Sequence, residues 1–146
     1  MLILLAVAGA LGSAANALSP RGLSWSRPLG RGVAERVAAA GLVPVDLKTV
    51  QDLVGKKSVR IIDARRAEEY RIGRLPGAVS IPWIEGRQPS STPIRDVPVL
   101  VYCSNEFCDD ALKTGIELNQ IGYTHVAVFV DGYEAWWNAK GPVDQD

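Results

Sequence analysis

This chain of 146 residues has few cysteines and histidines, and it has no excess of either charge. It contains two cysteines and one histidine, and 16 basic side chains balance 16 acidic ones. Two cysteines are too few for a disulfide-stapled scaffold, and one histidine rules out a zinc site built from Cys and His within a single chain. It also leaves little scope for a Cys–His catalytic pair.

The zero net charge conceals an uneven distribution. Residues 1–43 carry four arginines and one glutamate, whereas residues 44–146 carry 12 basic and 15 acidic side chains. A mildly acidic domain lacks the basic surface through which nucleic-acid-binding proteins attract phosphates. We therefore expect no nucleic acid among its partners.

The N-terminus holds a long apolar run. Residues 2–18 contain no charged side chain. The length of this run is near the lower limit for a membrane-spanning helix. The run ends in Ala15-Asn16-Ala17, similar to a signal-peptidase site, but four arginines follow, and the positive-inside rule would keep that flank in the cytoplasm. We expect residues 1–18 to make the chain membrane-associated or exported, as an anchor or a signal, with the side of the membrane left open. A buried helix of the domain is the alternative.

Two further segments follow. Glycine, proline, serine and arginine predict a basic linker over residues 19–43, with one helical turn around residues 34–40. From residue 44 onward short β-branched runs alternate with helical patterns. We therefore place the folded domain at residues 44–146.

The domain is predicted to be α/β, an open parallel sheet flanked by helices on both faces. Asp46 is expected to cap the first of the helices, which are predicted at residues 47–54, 109–120 and 133–139. Strands are predicted at residues 59–62, 77–81, 97–102 and 126–130, and a polar surface loop at residues 85–96. Because residues 97–102 form the most apolar run, they predict the central strand.

Cys103 directly follows that central strand, and a helix is predicted to begin at Asp109. In parallel sheets, sites form beyond the carboxyl ends of the strands. Unpaired N–H groups and the helix dipole at such a turn favour an anion, and similar environments lower a cysteine pKa from about 8.5 to between roughly 3.5 and 7.5. The position predicts a nucleophilic Cys103, with a buried structural cysteine as the alternative.

Several motifs resemble the rhodanese-like domain family. They are the Asp63-Ala64-Arg65 strand end, Glu69-Tyr70, the run Gly73-Arg74-Leu75-Pro76-Gly77-Ala78, the strand before Cys103, and Gly122-Tyr123, Val126, Asp131-Gly132 and Trp136. They follow in the family's order through residues 44–146. The resemblance implies the rhodanese-like fold and sulfur transfer.

By this resemblance, Cys103 takes a sulfane sulfur from a small donor such as thiosulfate, holds it as a persulfide, and passes it to a thiol or cyanide acceptor. The backbone N–H groups of the loop would hold the persulfide anion. Asp63 and Arg65 are expected to support the loop, with an ordinary structural ion pair as the alternative. No metal or organic cofactor is implied.

The loop departs from the family pattern. Its residues after Cys103 are Ser104, Asn105, Glu106, Phe107, Cys108 and Asp109, with Asp110 next, whereas the family usually has basic residues here. Carboxylates disfavour both a thiolate and a dianionic donor. Arg74 and Asp131 also replace a histidine and a glycine of the family pattern.

These departures leave other functions open. Cys108 could resolve an oxidised Cys103 into a disulfide, as in a thiol redox protein, or fill space beneath the loop. The acidic loop is also compatible with a catalytically inactive module used for binding or regulation. A phosphatase on this fold needs an arginine where Asp109 stands, because the guanidinium grips phosphate bidentately.

Overall fold

A computed structural model describes residues 31–83 and 97–146. The strands are β1 (Val43–Val45), β2 (Arg60–Asp63), β3 (Val79–Ser80), β4 (Val99–Tyr102) and β5 (Val126–Phe129). The helices are α1 (Arg31–Ala39), α2 (Leu47–Lys56), α3 (Ala67–Ile72), α4 (Asp110–Gln120) and α5 (Gly132–Asn138). The segment 1–18, residues 19–30 of the predicted linker and the loop expected at 85–96 lie outside the described residues.

The five strands form one parallel sheet in the order β1-β5-β4-β2-β3. Strand β4 is central, with Val101 paired to Ile62 of β2 on one side and to Val128 of β5 on the other. All four β4 residues are buried, as expected for a strand covered on both faces. The predicted fold and the central strand are confirmed.

Alternate residues of the strands pack into two hydrophobic layers. Val99 and Val101 lie in the layer that α1 and α4 cover, which includes Val37 and Leu112. Leu100 and Tyr102 face the other way, into a layer that contains residues of α2, α3 and α5. Each layer buries apolar surface worth roughly 25 cal/mol per Å². The helices therefore flank the sheet on both faces, as predicted.

Helix α1 corrects the predicted boundary between linker and domain. The helix spans nine residues, more than the single turn expected, and Val37 and Leu42 are 0% and 4% exposed in the core. Val33 packs on the same layer, one helical turn before Val37. The packed domain thus includes residues from 31 onward, and the start proposed at residue 44 is too late. The helix was predicted too short because most residues of this segment are small or charged, and only a short apolar stripe marks its buried face.

The ends of the elements follow local side-chain chemistry. The side chain of Asp46 accepts a hydrogen bond from Thr49 N at 2.9 Å, which confirms the predicted cap of α2. Gly122, after α4, has a φ of 104°, a left-handed conformation that glycine adopts without strain. Among the described residues, no helix is long and apolar enough to cross a membrane.

Candidate functional site

Cys103 is the first residue after β4, at the carboxyl edge of the sheet. The neighbouring strands end beside it, because Tyr102 pairs with Asp63 of β2 and with Phe129 of β5. Cys103 itself is 2% exposed. The structure therefore places this residue where the sequence predicted, at the point where ligands bind to parallel sheets.

Helix α5 holds the start of the loop formed by residues 103–109, here called the cysteine loop. Tyr133 N donates to Cys103 O at 2.8 Å, and Glu134 N donates to Ser104 O at 2.9 Å. Among the described residues, nothing accepts a hydrogen bond from the N–H groups of Ser104, Asn105 or Glu106. Carbonyls tied to a helix and amides left without a protein partner are the arrangement that suits an anion over the loop.

Gly132 lets the loop and α5 approach so closely. Its φ is +69°, and a Cβ there would lie 2.7 Å from the backbone N and Cα of Asn105. Any other residue would have to push the cysteine loop aside. The sequence resemblance identified Gly132 as part of a motif, but gave it no role.

The far end of the loop folds back onto Cys103. Asn105 O accepts from Cys108 N at 3.1 Å, and Asn105 Oδ1 accepts from Phe107 N at 3.1 Å. Cys103 and Cys108 form a disulfide, with their Cα atoms 6.1 Å apart. The loop therefore brings together the two sulfurs that the sequence left as a possible redox pair. In this state neither sulfur is a free nucleophile, because nucleophilic attack needs the thiolate.

Asp63, Arg65 and Tyr102 form a buried polar network at the carboxyl edge of β2 and β4, here called the support network after the role that the resemblance predicts for Asp63 and Arg65. Arg65 Nη2 lies 2.6 Å from Asp63 Oδ2 and also donates to Gly73 O at 2.7 Å. Tyr102 Oη donates to Asp63 Oδ2 and accepts from Leu75 N at 3.2 Å. The predicted pair of Asp63 and Arg65 is present as a salt bridge at the carboxyl edge of β2.

Two tyrosines, Tyr102 and Tyr133, complete this network, and neither was predicted from the sequence. The guanidinium of Arg65 lies 3.9 Å from the ring centroid of Tyr133 and 5.4 Å from that of Tyr102. Burial, and then the charge of Asp63, raise the pKa of Tyr102 well above its usual range. A tyrosine at the end of an otherwise aliphatic buried strand was the available signal, because a buried hydroxyl needs a partner.

The acidic residues near the loop are partly neutralised. Arg36 of α1 makes two hydrogen bonds to the carboxylate of Asp109, at 2.9 and 3.0 Å, and Asp110 Oδ1 lies 3.6 Å from Lys113 Nζ. Glu106 is partly exposed and makes no ion pair with a described residue. The loop itself lacks basic residues, but the fold supplies Arg36 from the segment that was predicted to be a linker.

An open cleft of about 360 Å³ lies beside the loop. Its walls combine aromatic, aliphatic and charged side chains from α3, the loop, α5 and the C-terminus, namely Arg65, Glu69, Ile72, Ser104, Asn105, Tyr133, Glu134, Trp137 and Gln145. Ser104 Oγ donates to Glu69 Oε1 at 2.9 Å, which ties the loop to α3 across this cleft. The apolar wall and the two glutamates favour a ligand that is not strongly anionic.

Cys103, Cys108 and Asp110 could together hold a metal only after reduction. One atom from each lies within 4.8 Å of the others. Thiolates rather than disulfide sulfurs bind metals, and three ligands leave one tetrahedral position of a zinc ion open. The resemblance implies no metal, and this stays a prediction.

The two other departures from the family motifs have structural contacts. Arg74 stacks 4.4 Å from the ring centroid of Tyr70 and pairs with Asp146 at 2.8 Å, which fastens the C-terminus. Asp131 accepts from Leu47 N at 3.2 Å, at the first turn of α2. Neither contact involves the cysteines.

Comparison with known proteins agrees with this architecture. The model of the rhodanese-like domain family matches residues 46–139, and the chain belongs to this family. An HTH-type transcriptional regulator of Mycobacterium tuberculosis, Rv0324, is 30% identical over 117 residues, which are 75% of this chain and 50% of the regulator. The chain thus spans about half the length of this curated relative.

Solved structures share the fold at lower identity. The BH2092 protein of Bacillus halodurans superposes with a TM-score of 0.65 at 21% identity, covering 78% of this chain and 85% of its own. The rhodanese-like domain of the Anabaena protein Alr3790 gives 0.61 at 22%, covering 70% and 79%. The human single-domain sulfurtransferase TSTD1 gives 0.55 at 20%, covering 67% and 97%. Such identities establish the fold alone.

Proposed function

We propose that this protein is a sulfurtransferase in which Cys103 carries the sulfur as a persulfide. The observation that carries the proposal is the position of Cys103, at the head of a loop whose carbonyls are bound by α5 and whose next three amides have no described partner. Membership of the rhodanese-like family supports a rhodanese-type role, and one protein that shares the fold is named a sulfurtransferase.

The proposed reaction starts from the reduced protein. The Cys103 thiolate attacks the outer sulfur of thiosulfate, the S–S bond of the donor breaks, and sulfite leaves with its electron pair. The persulfide anion on Cys103 would be held by the N–H groups of the loop. A thiol or cyanide acceptor then removes the outer sulfur and restores the Cys103 thiolate. No metal or organic cofactor takes part in these steps.

Intact mass after reduction and treatment with thiosulfate tests this proposal. We expect the Cys108→Ser variant to gain one sulfur atom, located at Cys103 by peptide mapping, and the Cys103→Ser variant to gain none. A polysulfide donor should be tried in parallel, because the carboxylates near the loop disfavour a dianion. If no donor adds sulfur to Cys103, the protein is instead a binding or regulatory module of the family.

We also propose, from the sequence of residues 1–18, that the chain is held at a membrane or exported. These residues lie outside the described part of the chain. Cell fractionation of the full-length protein, followed by labelling of intact cells with a membrane-impermeant thiol reagent, tests both the attachment and the side. Recovery of the uncleaved chain in the soluble cytoplasmic fraction would contradict the proposal.

A further inference from the structure

We propose that Cys108 reduces the sulfur that Cys103 accepts, so that the site releases sulfide and passes through the Cys103–Cys108 disulfide. This inference rests on the proposed function, because it begins from the Cys103 persulfide. It makes Cys108 an internal thiol acceptor and gives Asp110 the role of the base that takes its proton.

The first support is the way the loop holds Cys108. Its backbone N donates to Asn105 O, and the neighbouring Phe107 N donates to the side chain of the same asparagine. The start of the loop is fixed to α5 through Cys103 O. With both ends held, the two sulfurs stay within reach of each other after the disulfide is reduced. An oriented group inside the site reacts as if present at a very high concentration, and so it outcompetes an external thiol.

The second support is the carboxylate of Asp110. One of its oxygens lies within 4.8 Å of both sulfurs. Its ion-pair partner is Lys113 on the same helix, and the neighbouring Asp109 pairs with Arg36 of α1. A carboxylate this close can accept the thiol proton of Cys108 as the sulfur attacks.

The proposed step balances without an added oxidant. The Cys108 thiolate attacks Sγ of the Cys103 persulfide, and a new bond forms between the two cysteine sulfurs. The bond from Cys103 Sγ to the outer sulfur breaks, and its electron pair leaves with that sulfur as hydrosulfide. Cys108 is oxidised and the transferred sulfur is reduced, while the proton that Asp110 takes from Cys108 passes to the departing sulfur, so that the outer sulfur of the persulfide anion leaves as hydrosulfide.

Turnover then requires an external dithiol reductant, which supplies two electrons and two protons. Cys103 is 2% exposed, whereas Cys108 is partly exposed. The reductant should therefore attack Cys108, expel Cys103 as the thiolate and regenerate the nucleophile. A monothiol acceptor is not required for the sulfur to leave.

Single-turnover chemistry on the reduced full chain tests the inference. The reductant is removed, thiosulfate or the polysulfide that labels Cys108→Ser is added, and sulfide and protein mass are followed together. We expect wild type to release about one sulfide per chain and to finish two hydrogens lighter, as the disulfide. Cys108→Ser should keep the added sulfur and release none until a thiol is supplied.

Three results separate this inference from the function on which it rests. If wild type and Cys108→Ser both retain the added sulfur and release no sulfide, the inference is overturned and the sulfurtransferase proposal stands. If neither protein accepts sulfur from any donor, both are overturned. The third result compares rates of sulfide release. If wild type alone releases sulfide no faster than Cys108→Ser does with an added external thiol, the inference is also overturned.

The role of Asp110 needs its own variant. Asp110→Asn should slow sulfide release about tenfold or more at pH 7, and the defect should shrink above about pH 8.5, where a thiol ionises unaided. Lys113→Gln is the matched control, because it removes the same ion pair but keeps the carboxylate. An equal or faster rate in Asp110→Asn would show that the carboxylate only repels the thiolate, which would overturn its role as a base.

Discussion

In the support network, Asp63 and Arg65 are 0% and 4% exposed, and their charged groups are paired with each other, with a hydroxyl or with a carbonyl. In the cysteine loop, by contrast, the residues after Cys103 are partly or largely exposed, and Glu106 has no ion-pair partner among the described residues. The support network is closed and water is largely excluded from it, whereas the loop is open. From this difference we expect the network to fix the position of Cys103 and the loop to control which donors reach it.

The two regions should therefore respond to substitution in different ways. A change in the support network should cost stability, because a buried group that loses its partner cannot be rehydrated. A change in the loop should alter rate more than stability, because water can replace lost contacts there. Four pairs of variants test this comparison.

The largest effect is expected in the ion pair of the support network. Asp63→Asn leaves the guanidinium of Arg65 buried without its countercharge, and losing one partner of such a pair costs about 3–5 kcal/mol. Asp52→Asn is the control, because its pair with Lys48 is 62% and 86% exposed and should change stability by less than about 0.5 kcal/mol. Denaturant unfolding of both variants measures the difference. Equal stabilities would show that Arg65 is not held as the structure indicates.

The hydroxyl of Tyr102 should come next. Tyr102→Phe removes a donor to Asp63 and the acceptor of Leu75 N, a loss of about 1–3 kcal/mol. Tyr133→Phe is the control, since it keeps the ring against Arg65 and loses a hydroxyl with no hydrogen bond to a described residue. We expect the control to unfold within about 0.5 kcal/mol of wild type.

The pKa of Tyr102 also gives this pair a pH signature. Because burial raises its pKa in the folded state, the unfolded chain ionises first as pH rises past about 10, and folding stability falls by up to about 1.4 kcal/mol per pH unit. The stability that the neutral hydroxyl contributes is complete below pH 10 and lost above it. The advantage of wild type over Tyr102→Phe should therefore narrow in alkali. A constant difference between pH 8 and pH 11 would contradict the buried, neutral hydroxyl.

The sequence was sufficient to predict the strand and the loop that carry this site, but not the contacts that residues distant in sequence make there. Alternating apolar runs were enough for the central strand and for Cys103 at its end, and the family motif was enough for the pairing of Asp63 with Arg65. The contact of Arg36 with Asp109 joins residues 73 positions apart, and no local pattern encodes it. Helix α1 was predicted as a single turn, because only a few of its small residues are apolar enough to mark a buried face. The disulfide was left as one of two alternatives, because loop curvature decides whether sulfurs five residues apart meet.

Gly132 lies at the junction of the two regions. Gly132→Ala introduces both a strained positive φ and a clash with the backbone of Asn105, whereas Gly77→Ala has a similar φ of +73° and no atom within 4 Å. The strain common to both costs about 1 kcal/mol or more, so subtracting one from the other isolates the displacement of the loop. We expect a further loss of about 1 kcal/mol in Gly132→Ala. Sulfur uptake by Cys103 should fall in Gly132→Ala only, and an equal fall in both variants would contradict the role of this contact.

The smallest effect is expected from the charge of Glu106, which bears only on the open side of the comparison. A partly exposed carboxylate acts on a nearby anion through solvent, and such interactions are worth roughly 0.2–1 kcal/mol. Glu106→Gln should therefore speed sulfur uptake from thiosulfate by at most about fivefold at low salt, and Glu106→Arg should exceed it, because the arginine attracts the dianion that the glutamate repels. The gain should shrink as ionic strength rises, since the Debye length is about 8 Å at physiological salt. The free energy of unfolding should stay within about 0.5 kcal/mol of wild type, in contrast to variants of the support network.

Stopped-flow measurement of sulfur uptake at two salt concentrations checks the prediction, with Asp52→Asn as the control for net charge. A salt-independent gain, or none, would mean that Glu106 does not face the path by which the donor reaches Cys103.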